Sequence, residues 1–84
     1  MDESKQFTTE EARRIGTALG VDWTLFDVEQ FRLGLEVELE HGTRDPATDV
    51  THDDPLRTGK ITLAHLKQFP DYYTRLAAMK AAAP

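Results

Sequence analysis

Residues Asp27–Gly42 read DVEQFRLGLEVELEHG, and whether they form a strand or a helix settles the architecture of the chain. From Phe31 to Glu40 the apolar residues alternate (Phe31, Leu33, Leu35, Val37, Leu39), which is the period of a strand. The end signals point the other way. Asp27 and Gln30 have the spacing of a capping box, in which Asp accepts from free first-turn amides and Gln reaches back. Gly42 stands where a left-handed helix stop takes glycine. Leu, Glu, Arg and Gln are good helix formers, and between Phe31 and Gly42 only Val37 is β-branched. The stretch is therefore expected to be the central helix of an all-α, single-domain bundle of about four helices.

Wound at the helical period, this segment carries two apolar stripes. Val28, Phe31, Leu35 and Leu39 form one. Leu33 and Val37, with Phe26 just ahead of the helix, lie nearly opposite. Arg32, Glu29, Glu36 and Glu40 fill the wide gap and are expected to face water, while Gln30, Gly34, Glu38 and His41 fill the other. A helix apolar on two sides packs against two neighbours. Gly34 would then admit a close approach, and Glu38 and His41 would point along a seam between helices.

Bulk properties bound the rest. Eighty-four residues make one domain with a small core. The formal net charge of −5 disfavours nonspecific binding to nucleic acid or to acidic membranes. The absence of cysteine excludes a disulfide frame and a thiolate metal site. No run approaches a membrane span, and the acidic start Met1-Asp2-Glu3 is the reverse of a signal peptide, so a cytoplasmic location is expected.

Ahead of the central helix, residues 1–6 read as a loose terminus and the folded domain as 7–80. Thr8 and Glu11 form a T-x-x-E capping box with Phe7 as the outer half of a hydrophobic staple. Ala12, Ile15, Gly16 and Leu19 share one face, and Gly20 ends this first helix. No basic recognition helix follows, so DNA binding is disfavoured. Trp23 and Phe26 are expected to anchor the core.

After the central helix, Thr43–Arg57 reads as a long acidic loop. Its Asp49, Asp53 and Asp54 suit turn chemistry better than a cation site, since the spacing is not that of an EF-hand. Thr58 is expected to cap a helix over Gly59–Phe69 with Ile61, His65 and Phe69 on one face and Leu66 beside them. Pro70 stops that helix and Asp71 caps the last, which runs to about Lys80. Tyr72, Leu76 and Met79 form its stripe, flanked by Tyr73 and Ala77, and residues 81–84 fray.

The series Glu38-Leu39-Glu40-His41-Gly42, Asp53-Asp54-Pro55, Thr58-Gly59-Lys60-Ile61, Ala64-His65-Leu66 and Pro70-Asp71-Tyr72-Tyr73 with Arg75-Leu76 resembles an uncharacterised family of short bacterial and phage proteins, a domain of unknown function. The resemblance runs from about Thr8 to Met79, with Asp49 and His52 less typical of the pattern. It implies no assigned activity, and the phage connection is consistent with a viral accessory protein.

The chemistry centres on Glu38, His41 and His65. Glu38 and His41 form an E-x-x-H pair on one helix face, and His65 is expected to point inward from another helix. With a water or a loop carboxylate, the three would give a nitrogen and oxygen set for a single divalent metal such as zinc, with hydrolytic activity as an extension. The simpler expectation is a buried hydrogen-bond network joining Glu38, His41 and His65 to Tyr72 or Tyr73. A catalytic reading has no cysteine nucleophile and no glycine-rich cradle behind it. The expected function is a non-enzymatic module that binds a protein partner or self-associates, with Trp23, Tyr72 and Tyr73 as aromatic anchors.

Overall fold

A computed structural model describes residues 7–44, 47 and 54–82. Its described residues form four helices, α1 (Thr9–Ala18), α2 (Val28–Arg44), α3 (Pro55–Gln68) and α4 (Tyr72–Ala82), with no strand among them. The Asp27–Gly42 segment is helical, and α2 is the hub: it packs against each of the other three helices. None of the helices is long and apolar enough to cross a membrane.

The first helix forms as its sequence signals require. Thr8 Oγ1 accepts from Glu11 N–H at 3.0 Å, and Glu11 Oε1 accepts from Thr8 N–H at 2.9 Å, closing the capping box. Phe7 and Ala12, the two halves of the staple, are both buried. At the other end Gly20 adopts φ +79°, which glycine reaches without steric penalty. Val21 N–H then donates to Gly16 C=O and Gly20 N–H to Thr17 C=O, the paired bonds of a Schellman stop. Val21 is turned into the core by it.

In α2 the stripe Phe31, Leu35, Leu39 is buried, and Val28 packs beside it. Three expectations for this helix are corrected. Gly42 does not stop it, for the helix runs through to Arg44. Gln30 does not close a box on Asp27: its amide donates across the bundle to Thr74 of α4, and Asp27 starts the helix through its carbonyl, which accepts from Phe31 N–H at 3.1 Å. Leu33, from the opposed stripe, is exposed, because α3 and α4 crowd the Gly34 side instead. The charged gap is also partly covered. Glu36 accepts from Phe7 N–H at 2.9 Å, Glu29 from the Thr9 hydroxyl at 2.6 Å, and Arg32 bridges both glutamates.

Helix α3 begins three residues before Thr58. Asp54 is its N-cap, accepting from Leu56 N–H at 2.9 Å, and Pro55 fills the first turn, where a missing N–H removes nothing. Thr58 and Thr62 are fully buried inside the helix, each hydroxyl donating to the carbonyl four residues earlier. Bonded to its own backbone, a threonine presents its methyl group to the core. The buried face is therefore Thr58, Gly59, Thr62 and Leu66, and Phe69, expected inside, is exposed. In α4 the phase is likewise shifted: Tyr73 is the buried residue, Tyr72 and Leu76 are half-buried, and Met79 is exposed. This helix continues through Ala82, past the frayed tail expected from 81. Asp49, His52 and Asp53 lie outside the described residues.

Candidate functional site

The site grows from the Gly34 face of α2. A β-carbon on Gly34 would sit 2.4 Å from Thr62 Cγ2 and 2.4 Å from Tyr73 Cε2, so α3 and α4 meet α2 with no room for a side chain. One turn further along α2, the same face carries Glu38. One turn past Thr62, α3 carries His65. The close approach at Gly34 therefore delivers an imidazole and a phenol to one carboxylate.

The geometry is tight. Tyr73 Oη donates to Glu38 Oε2 at 2.9 Å, and His65 Nδ1 lies 2.9 Å from the same oxygen and 3.2 Å from Tyr73 Oη. A carboxylate only accepts, so Nδ1 carries a proton, and in the neutral imidazole Nε2 then keeps its lone pair. The His65 ring stacks on Tyr72, with centroids 4.5 Å apart and planes at 7°, and meets the edge of Tyr73 at 6.2 Å. Burial, then the Glu38 charge and the hydrogen bond to it, push the Tyr73 hydroxyl well above the ordinary phenol value.

Tyr73→Phe is a direct probe of this cluster. At neutral pH it is expected to lower stability by about 1.5–3 kcal/mol, the range for a hydrogen bond to a charged group. The pH dependence has a definite sign. A phenol held protonated in the folded state contributes stability that is complete below the unfolded value near 10 and is lost as pH rises above it. The wild type should thus lose stability above about pH 10, and Tyr73→Phe should lose less. Urea titrations at neutral and alkaline pH read both effects, and parallel curves at all pH values would remove Tyr73 from the network.

On the outer side of the cluster is a cleft of about 350 Å³ between α2 and α4. Val37, Leu76 and Tyr72 give it an apolar wall, and Glu38, Glu40, His65 and Lys80 give it polar groups. It lies at the lower end of the roughly 300–1,000 Å³ range of small-ligand sites. Lys80 and the Tyr72 hydroxyl make no ion pair or hydrogen bond among the described residues, and neither does His65 Nε2.

The structure brings together Glu38 and His65, as the sequence leads one to expect, and chooses Tyr73 as the hydrogen-bonding tyrosine. His41 lies on α2, but its side chain is outside the described residues. Glu38 and His65 meet as acceptor and donor, with Glu38 Oε2 accepting from both His65 Nδ1–H and the Tyr73 hydroxyl. Among the described residues no group of three His, Cys, Asp or Glu side chains is placed to hold a metal ion. The three aromatic anchors differ in their exposure. Tyr73 is 3% exposed and its hydroxyl is engaged internally. Trp23 is half-buried, edge-on to Phe31 at 5.6 Å, and its indole N–H donates to Thr17 Oγ1 at 3.2 Å. Only Tyr72 faces the cleft. Lys80 was not a candidate from sequence, although Tyr72, Leu76 and Lys80 are spaced i, i+4, i+8 and so share a helix face.

Comparison with known families gives a match over residues 12–82 to the model of a family described as a protein of unknown function, DUF5661. No curated protein and no solved structure matches the chain.

Proposed function

We propose a role for a chain that belongs to the DUF5661 family, which as a family of unknown function hands down no activity: it is a non-enzymatic accessory module that binds a protein partner through the cleft between α2 and α4. The observation that carries this is the construction of the cleft. Glu38 and His65 in its wall are fixed by the Glu38–His65–Tyr73 hydrogen bonds, and Tyr72, Leu76 and Lys80 of α4 line it too. A wall ordered before binding reduces the entropy lost on association. Among the described residues the cleft holds a carboxylate-oriented imidazole but no serine, threonine or cysteine lining it, which favours binding over nucleophilic catalysis.

The test is affinity capture from the cells that carry the protein, with wild type, Leu76→Glu and a Leu25→Ser control on an exposed position away from the cleft. A partner retained by wild type and Leu25→Ser and lost with Leu76→Glu, all three equally folded by circular dichroism, is the outcome this reading requires. A partner held equally by Leu76→Glu would move the interface elsewhere. Native mass spectrometry and elemental analysis of the same samples address the other two roles. A dimer dissociated by Leu76→Glu would make the partner a second copy, and a stoichiometric metal lost with His65→Ala would put the metal reading in place of this one.

A further inference from the structure

The polar groups of the cleft are arranged in an order that specifies more than "a partner". Tyr72, Leu76 and Lys80 follow one another along a single face of α4, over about 12 Å of helix rise. At the Lys80 end the cleft offers an ammonium with no ion-pair partner among the described residues. In the middle it offers the apolar surfaces of Val37 and Leu76. At the Tyr72 end it offers a hydroxyl with no hydrogen bond among the described residues, and His65 Nε2, which in the neutral imidazole is an acceptor because Nδ1–H is committed to Glu38. A cation, an apolar seat and a hydrogen-bond acceptor in that order match one common chemical object. The end of a peptide presents a carboxylate, an apolar side chain, and the N–H of the last peptide bonds, at about 3.3 Å per residue.

Resting on the binding reading above, we propose that the cleft captures the C-terminal end of a partner chain, with Lys80 pairing the terminal carboxylate, Val37 and Leu76 seating an apolar last residue, and His65 Nε2 accepting a backbone N–H. The charges refine the choice. Glu38 is covered by donors from His65 and Tyr73. The formal net charge of −5 disfavours a doubly charged phosphate and an acidic peptide, and so favours a singly charged carboxylate.

The experiment is an NMR titration of the full chain, following backbone amides, with three probes: acetyl-Gly-Ala-Leu bearing a free carboxylate, the same peptide as its C-terminal amide, and hexanoate. The free peptide should shift residues around Val37, His65 and Leu76. The amide and Lys80→Ala should each weaken binding about tenfold or more, as expected for loss of a charge-assisted contact. Hexanoate, which has no N–H for His65, should bind more weakly than the peptide acid. Lys80 is exposed near the end of α4, so the variant folds, and its undisturbed amide spectrum verifies this. Equal binding of acid and amide, or unchanged binding by Lys80→Ala, would overturn the carboxylate assignment. Hexanoate matching the peptide would overturn the peptide source and leave a small organic acid. Absence of any shift, with partner capture still abolished by Leu76→Glu, would overturn this inference while the binding module stands.

Discussion

Phe31→Ala should lower the stability of this protein by about 3–5 kcal/mol, the range for removing a fully buried phenylalanine. A domain of this length has roughly 4–12 kcal/mol in all, so the variant will be marginal at best. The reason is where the ring sits. Phe31 is 0% exposed, and the edge of Trp23 stands against it at 5.6 Å. A methyl group placed on Gly16 of α1 would lie 3.3 Å from Phe31 Cε2, and one on Gly59 of α3 would lie 3.5 Å from its Cζ. The ring thus fills the point where α1, α2 and α3 converge, and two glycine-width approaches leave nothing beside it able to collapse into the space. Thermal melting followed by circular dichroism, with the fluorescence of the single tryptophan as a local probe, measures the loss. A melting temperature lowered by only a few degrees would mean that the three helices repack without the ring, contrary to this account.

That convergence point is also where the sequence was most readable. Phe31, Leu35 and Leu39 recur at helical spacing, and Thr8, Glu11 and Gly20 mark the ends of α1 by side-chain chemistry that acts within one turn. The Gln30–Gly34–Glu38 seam followed from the same winding, and with it the meeting of Glu38 and His65. Signals that depend on a neighbouring helix were not readable. Asp54-Pro55 has the composition of a turn and the geometry of a helix start, and only the chain that follows distinguishes them. Thr58 and Thr62 count as polar in a pattern but bury their methyl groups once their hydroxyls bond the backbone. This moved the buried face of α3 away from Phe69. Tyr72 and Tyr73 are adjacent, so the phase of α4 turns on the packing of one ring against Gly34, which no periodicity within α4 records. Lys80 gains significance only from lining the same cleft as residues of α2 and α3.

The dependence of the site on that packing is tested by Gly34→Leu, expected to be the most damaging substitution for the cleft. The new β-carbon would meet Thr62 Cγ2 and Tyr73 Cε2 at 2.4 Å, and Tyr73 Cζ at 2.7 Å. Neither neighbour can yield. Thr62 is fully buried with its hydroxyl on Thr58 C=O at 2.9 Å, and Tyr73 is pinned through its hydroxyl to Glu38. The strain must therefore be relieved by moving helices apart. Helix α4 is the one that gives, because Tyr73 is its single buried residue, whereas α1 and α3 are tied to α2 around Phe31. Overpacking of this kind costs about 1–3 kcal/mol and occasionally more. Replacing a mid-helix glycine returns up to about 1 kcal/mol, which does not offset lost burial of Tyr73 and the broken hydrogen bonds to Glu38. A net loss of about 3 kcal/mol should appear in urea unfolding, and protease cleavage should quicken within α4 before Trp23 fluorescence changes. The cleft must fail with it, since its Tyr72–Leu76–Lys80 wall is carried on α4. A variant with wild-type unfolding midpoint and wild-type binding would show that α2, α3 and α4 are not in contact at residue 34, and would take the Glu38–His65–Tyr73 cluster down with that contact.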